Sequence, residues 1–309
     1  MANDEGRSVR VQLSFVLAGA LGVTSAAEAR EPTVLAPLTP WNLHYSDNSC
    51  QLFRTFGNAA DPTHLAIESL GPDSGLTMLV HGGALSAKQG SGEAKATFVP
   101  STGRTFDDGN VSETTESKKT AIYWGNISLL SETFRDQDRS FDRARAAAKR
   151  MANRTLEATA GSSVTAIQIV EPRRRVTVLQ TGSLAKVMQM LRECNREQMA
   201  DWGLDPAVQD RIVLAPEARR NLASLFSADD YPTLAIRSGQ MSMVRARLIV
   251  GADGKVTKCT SLTPFSGEGF KEVVCDRLSK AVFQPAELAD GTKVPTFVIS
   301  RVNFRMPGS

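Results

Sequence analysis

Short alternating runs of apolar and polar residues dominate the first part of the chain. They are rich in Val, Ile, Thr, Phe and Tyr, and Gly, Pro, Asn and Asp separate them, as turns between strands require. This pattern predicts strands at residues 41–45, 51–56, 64–70, 77–81, 94–99 and 121–130. The stretch 88–118 is rich in Gly, Ser, Thr and Lys, and it is predicted to be a long exposed loop around one of these strands.

Helical spacing replaces this alternation in two longer segments. Residues 140–160 are dense in Ala, Arg, Lys and Met, and Gly161 is expected to end this helix. A second helix is predicted from an N-cap at Ser183 to Trp202, with Cys194 on its buried apolar face. Two further strands are predicted between the helices, at residues 164–170 and 174–180.

Roughly the last eighty residues have the pattern of a small antiparallel sheet with one helix. Asp253 and Gly254 supply a tight turn, because Gly tolerates a positive φ. The apolar residues after Gly269 share one face of a helix, which Pro285 ends. Three strands are predicted, at residues 243–250, 255–262 and 295–306.

These patterns together predict an α+β protein of two domains. A β-rich domain with two long helices is expected at residues 30–202. A linker with Gly, Pro and Arg residues is expected at 203–228, followed by the small sheet-and-helix domain at 229–309.

The N-terminus has the three parts of a secretory signal. Arg7 and Arg10 precede an apolar run of 13 residues, and Ala27 and Ala29 form the small pair before a cleavage site. Because a membrane-spanning helix needs roughly 20 residues, we expect residues 1–29 to be a signal peptide cleaved after Ala29 and the protein to be periplasmic. The alternative is an uncleaved segment that keeps the protein at the inner membrane.

Composition excludes several classes of protein. With 41% hydrophobic and 22% charged residues, the chain of 309 residues can bury a core and is neither disordered nor fibrous. Lys and Arg total 36 against 33 Asp and Glu, and a net charge of +3 gives no footprint for nucleic acid. Only three His residues occur and no Cys or His pair has ligand spacing, so no metal or other cofactor is expected.

Export makes the four cysteines informative, because disulfides persist in an oxidising compartment. Four cysteines allow three connectivities. The domain boundary favours Cys50 with Cys194 and Cys259 with Cys275, one disulfide in each domain. The alternative is four buried free thiols.

No residue is assigned a catalytic role. His81 begins a His-Gly-Gly-Ala run like the oxyanion loop of esterases, but no Gly-X-Ser-X-Gly motif supplies a nucleophile. Asp73 begins an Asp-Ser-Gly triplet like that of aspartic proteases, whose mechanism needs a second carboxylate. Cys50 lies near His44 in the sequence, but it is expected to form a disulfide. We predict that the protein is not an enzyme; an exported hydrolase that uses the N-terminal domain is an alternative.

The C-terminal pattern also contains an ordered series of short motifs. They are Tyr231-Pro232, Asp253-Gly254, Ser266-Gly267, Phe283-Gln284-Pro285-Ala286, Asp290-Gly291 and Phe304. In this order and spacing, residues 231–306 resemble the C-terminal domain of TonB energy transducers.

The resemblance implies a periplasmic domain that adds a short segment of an outer-membrane transporter as an extra strand. The expected edge is the last strand, with Phe297, Ile299, Arg301, Asn303 and Arg305 on one of its sides. A full transducer also carries a His in its anchor helix and a Pro-rich spacer, which this sequence does not show. We therefore predict an exported interaction protein related to outer-membrane transport; the alternative is a membrane-anchored TonB energy transducer.

Overall fold

The N-terminal region is built around one sheet of ten strands. The computed structural model describes residues 31–72, 75–114, 117–130, 142–263, 267 and 269–306. The strands are β1 (Thr33–Leu35), β2 (Asn42–Tyr45), β3 (Cys50–Asn58), β4 (Asp61–Ser69), β5 (Leu76–Gly82), β6 (Ala94–Val99), β7 (Thr105–Glu113), β8 (Thr120–Ile127), β9 (Ala166–Val170) and β10 (Val176–Leu179). Their order across the sheet is β1-β10-β9-β6-β7-β8-β5-β4-β3-β2.

This sheet curls until its two ends meet. β1 pairs in parallel with β10, and the residues just after β1 bond to β3 near the opposite end. The Leu38 N–H donates to the Thr55 carbonyl at 2.8 Å, and the Gly57 N–H donates to the Ala36 carbonyl at 2.9 Å. Because side chains alternate between the two faces of a sheet, one face can supply a continuous apolar core. This core includes Leu52, Leu65, Val80, Ile122 and Trp124.

Two long helices belong to this region. α1 (Arg143–Ser163) begins at Asp142, whose side chain accepts a hydrogen bond from the Arg145 N–H. α2 (Ala185–Asp201) follows β10 and buries an apolar stripe against the same core. A disulfide between Cys50 and Cys194 ties β3 to α2.

Short elements occupy the segment predicted to be a linker and the start of the C-terminal region. They are α3 (Pro206–Asp210), β11 (Ile212–Leu214), β12 (Glu217–Ala218), the 3₁₀ helices Leu222–Leu225 and Ala228–Asp230, and α4 (Thr233–Arg237). Hydrogen bonds join this segment to α1, because the Arg150 guanidinium donates to the Asp210 carbonyl at 3.0 Å and to the Gln209 carbonyl at 3.1 Å. The chain from Pro32 onward forms one compact unit.

A three-stranded antiparallel sheet with one helix forms the rest of the C-terminal region. Its elements are β13 (Ser242–Val250), β14 (Val256–Ser261), α5 (Phe270–Leu278), β15 (Phe283–Gln284), β16 (Ala286–Leu288), β17 (Lys293–Val294) and β18 (Thr296–Phe304). The sheet order is β14-β13-β18, while the short strands pair as β11-β16-β17 and β12-β15. Val244, Leu248, Phe270 and Val274 lie in the core between the sheet and α5. A disulfide between Cys259 and Cys275 ties β14 to α5.

The fold is α+β, as predicted, with a β-rich N-terminal region that carries two long helices. The predicted loop at 88–118 is wrong in part, because β7 lies within it. Asp, Gly and Asn in β7 are poor strand formers. Phe106 and Val111 are nevertheless buried, and β7 pairs with both β6 and β8. Pairing with two neighbours therefore overrides the weak local preference.

Two predicted helix boundaries also differ from the structure. α1 continues past Gly161, whose carbonyl accepts a hydrogen bond from the Leu184 N–H at 2.9 Å. The N-cap of α2 is Leu184 rather than Ser183. No helix within the described residues is long and apolar enough to cross a membrane. The predicted signal peptide, with Ala29, lies outside those residues.

The two disulfides close loops of very different length, which leads to a prediction about their relative contributions. The bonded cysteines are 144 positions apart in the first disulfide and 16 in the second. Loss of chain entropy in the unfolded state stabilises the protein by about 5 kcal/mol for the longer loop and about 3 kcal/mol for the shorter one. We expect urea unfolding of the Cys50→Ala/Cys194→Ala variant to show the larger decrease in free energy of unfolding. A larger decrease in the Cys259→Ala/Cys275→Ala variant would contradict this.

Candidate interaction site

β18 forms one edge of the three-stranded sheet. It pairs along its whole length with β13, and no other strand in the described part of the chain pairs with it. Gln209 fixes the start of β18 from α3. Its Nε2 donates to the Pro295 carbonyl at 2.8 Å, and its Oε1 accepts a hydrogen bond from the Thr296 hydroxyl at 2.7 Å.

The five residues predicted on one side of this strand fall into two groups. Phe297 is only 1% exposed and Ile299 is half-buried. Arg301, Asn303 and Arg305 are exposed. On this side of β18, the first half is therefore covered by other parts of the chain and the second half is exposed.

Phe297 is covered by the N-terminal region. Its ring meets the Trp202 ring edge to face, with centroids 5.3 Å apart and an interplanar angle of 70°. A Cβ atom on Gly71 would lie 2.6 Å from the Phe297 ring, closer than atoms can approach. Only glycine at position 71 therefore lets β18 lie this close to the end of β4.

Arg247, on the central strand β13, also packs against the Trp202 ring. Its guanidinium carbon lies 3.7 Å from the centroid of a Trp202 ring, a close cation–π geometry. The guanidinium also donates to the Asn48 carbonyl at 3.3 Å and to Asn48 Oδ1 at 3.0 Å. Arg247 is 4% exposed, and burial lowers its pKa to about 10. It therefore remains charged at neutral pH.

A second contact between the regions joins Arg245 on β13 to Glu68 on β4, with Nη2 and Oε2 3.0 Å apart. Burial alone would raise the pKa of Glu68, but the Arg245 charge and a hydrogen bond from Gln51 outweigh it and lower that pKa. The Thr77 hydroxyl also donates to Glu68 Oε2 at 3.2 Å. Glu68 is thus held ionised beneath the C-terminal sheet.

Cationic side chains gather where the exposed half of β18 begins. Arg301 lies directly opposite Arg245 across the β13–β18 pair. Its Nη1 lies over Gly125 of β8. A Cβ atom on Gly125 would be only 2.8 Å from this nitrogen. The exposed Arg301 therefore places positive charge next to the backbone of the edge strand β18.

The residues considered for catalysis are not assembled into a site within the described chain. His81 stacks on His64 with ring centroids 4.7 Å apart, and burial, His64 and Lys119 lower the pKa of His81. Cys50 is bonded to Cys194 and carries no thiol. Asp73 lies outside the described residues. Over the part of the chain described, no group of three or more His, Cys, Asp or Glu side chains is placed to hold a metal ion.

The contacts that Trp202, Arg245 and Arg247 make could not be predicted from the sequence. The sequence pattern marks Trp202 as the end of a predicted helix and places the two arginines in the strand predicted at residues 243–250. The sequence does contain one indication of these contacts. Two arginines lie with Ile249 on the face of β13 that points away from α5. Cations among apolar residues on a strand indicate a covered face rather than a solvated one.

The Glu68–Arg245 pair predicts acid sensitivity. Because the pKa of Glu68 is lowered by folding, its contribution is present above the unfolded pKa of about 4.3 and is lost as the pH falls through the folded value. Glu68→Gln should lower the free energy of unfolding at pH 7 by about 1 to 3 kcal/mol, the range for hydrogen bonds to charged groups and their loss. The variant should also lose less stability than the wild type on acidification.

Urea unfolding at a series of pH values measures both effects. Glu93→Gln is the matched control, because Glu93 is an exposed carboxylate outside this contact. An unchanged acid dependence in Glu68→Gln would show that the pair does not join the two regions energetically.

Comparison with known proteins bears on the C-terminal region. No curated protein matches the chain. Residues 227–306 match the family described as Gram-negative bacterial TonB protein C-terminal, which confirms the resemblance predicted for 231–306. The matched segment contains the whole sheet β14-β13-β18, together with α5 and the second disulfide. The C-terminal region of the chain is thus similar to the C-terminal domain of Gram-negative bacterial TonB proteins.

Proposed function

We propose that this is an exported periplasmic protein that binds a protein partner by adding a strand to β18, in a process related to outer-membrane transport. The observation that carries the proposal is the position of β18 at the edge of a TonB-type sheet, with its second half exposed. An edge strand offers a row of N–H and C=O groups that an extended peptide can pair with.

Both faces of the sheet are covered by other parts of the chain, so its β18 edge is the expected binding surface. α5 packs on one face of the sheet, and the N-terminal region covers the other face around Trp202. The partner that fits best is a short extended segment of an outer-membrane transporter, as the family implies. Arg301 and Arg305 on the exposed half favour acidic side chains in that segment. No catalytic step is assigned to the protein.

Location in the periplasm is supported by the cysteines. All four are bonded in two disulfides, and disulfides form and persist in oxidising compartments. The signal-like N-terminus agrees with this location.

Proline scanning of β18 tests strand addition. Successive residues of an antiparallel edge strand direct their N–H groups alternately to the neighbouring strand and outward. Val302 lies opposite Val244 and Asn303 opposite Met243, so one of the two N–H groups serves β13 and the other faces outward. We expect one of Val302→Pro and Asn303→Pro to lose stability. The other should fold normally and lose binding, because proline is tolerated where the N–H faces outward.

The binding partner in this experiment is a synthetic peptide covering the short periplasmic segment of an outer-membrane transporter from the same bacterium. Hydrogen exchange of the wild type should show slower exchange at residues 300–305 when the peptide is bound, with β14 unchanged as the internal control. Strand addition would be excluded if the folded proline variant bound the peptide as tightly as the wild type.

The mature N-terminus distinguishes an exported protein from an anchored transducer. We expect mass spectrometry of the protein from a periplasmic extract to give a chain that begins at Arg30, after cleavage behind Ala29. The disulfide-bonded cysteines should resist alkylation in the same sample. An intact N-terminus found only in the membrane fraction would instead support the membrane-anchored energy transducer.

A further inference from the structure

The two disulfides differ in their exposure to solvent. Cys50 and Cys194 are both 0% exposed and lie in the core of the N-terminal region. Cys259 and Cys275 are both partly exposed. A thiolate opens a disulfide by direct attack on one of its sulfur atoms, so the rate depends on access to the bond. The disulfide of the C-terminal region is therefore the one that a thiol in solution can reach while the protein stays folded.

The elements that carry this disulfide also lie at the surface. Cys259 is on β14, which is the edge strand opposite β18 and pairs only with β13 among the described strands. Lys258 precedes Cys259 and is exposed, and Asp276 follows Cys275 on α5 and is exposed. A thiol can therefore approach from the outer edge of the sheet.

Contacts other than the disulfide hold α5 on the sheet. Phe270, Val274 and Leu278 are each 0% exposed in the core between α5 and the sheet. The Arg277 Nε also donates to Asp230 Oδ1 at 2.7 Å, which joins α5 to the 3₁₀ helix Ala228–Asp230. We therefore expect α5 to stay in place when the disulfide is opened.

β14 depends more on the disulfide than α5 does. Across the six described positions of β14, no residue is buried, and only Val256 and Cys259 pack partly against the core. An edge strand with few buried contacts opens more easily than the centre of a sheet. The bond from Cys259 to Cys275 adds a covalent link between β14 and a well-anchored helix.

We propose that the Cys259–Cys275 disulfide is a site of reversible thiol–disulfide exchange with a dithiol, and that its opening loosens β14 while the Cys50–Cys194 disulfide stays closed. This reaction does not depend on strand addition to β18.

The exchange balances in two steps. One thiolate of the dithiol attacks one sulfur of the Cys259–Cys275 bond, forms a mixed disulfide and expels the other cysteine as a thiolate. The second thiolate of the dithiol then attacks its own sulfur in the mixed disulfide and expels the remaining cysteine. Two electrons and two protons pass from the dithiol to the protein, so the dithiol becomes a disulfide and both cysteines become thiols.

Reduction of the folded wild type by dithiothreitol tests the selectivity. Samples are quenched with N-ethylmaleimide at a series of times, and mass spectrometry of the peptides gives the labelling of each cysteine. We expect Cys259 and Cys275 to be labelled at least about tenfold faster than Cys50 and Cys194, because the buried bond reacts only after local opening. The control is the same reaction in denaturing urea, where the two disulfides should open at similar rates.

Equal rates for the two disulfides in the folded protein would overturn the proposal. So would a Cys259–Cys275 bond that opens only in urea. Addition of glutathione disulfide after removal of dithiothreitol should close the bond again, and failure to close it would overturn reversibility.

Hydrogen exchange tests the loosening of β14. After selective reduction of the wild type, we expect the amides of β14 that pair with β13 to exchange about tenfold faster, as for a local opening, with α5 and β18 within about twofold of the oxidised protein. Cys259→Ser/Cys275→Ser should show the same change without dithiothreitol. Lys258→Ala is the matched control, because it alters an exposed residue of β14 and keeps the disulfide. Unchanged exchange at β14 in the reduced wild type would overturn the proposal.

Discussion

The stack of Arg247 on Trp202 is the contact on which the relation between the two regions depends. A guanidinium removed from water must find other partners, or its burial is costly. Here the Trp202 ring and two oxygens of Asn48 replace water, and both belong to the N-terminal region. With a pKa of about 10, Arg247 is charged at neutral pH. The charge is accommodated only while the two regions are packed together.

This packing decides which part of the TonB-type sheet can meet a partner. α5 covers one face, and the disulfide of Cys259 with Cys275 holds that helix to β14 at one edge. Trp202 and its neighbours cover the other face, and Phe297 extends the covering to the first half of β18. At the opposite edge, this arrangement leaves Arg301, Asn303 and Arg305 exposed.

The pattern of apolar and polar residues is enough to predict elements that depend on their own residues. It is not enough to predict contacts between residues that are far apart in the sequence. The alternation of β13, the Asp253-Gly254 turn and the strand before Phe304 could all be predicted, because each pattern reflects burial on one face of its own element. β7 was missed because its pairing partners, rather than its residues, make it a strand. Arg247 and Asn48 are 199 positions apart, and nothing in either neighbourhood indicates the other.

The charges beside the exposed edge bear on which strands can add to it. Exposed edges invite pairing between copies of a protein, and natural sheets limit this with charged side chains. Arg301 of β18 already lies directly opposite Arg245 of β13, and Glu68 offsets this like-charge pair by its ion pair with Arg245. A second copy of β18 would bring Arg301 and Arg305 against an edge that is already cationic. A foreign strand with acidic residues would meet no such repulsion, so the same charges that oppose self-association favour a different partner.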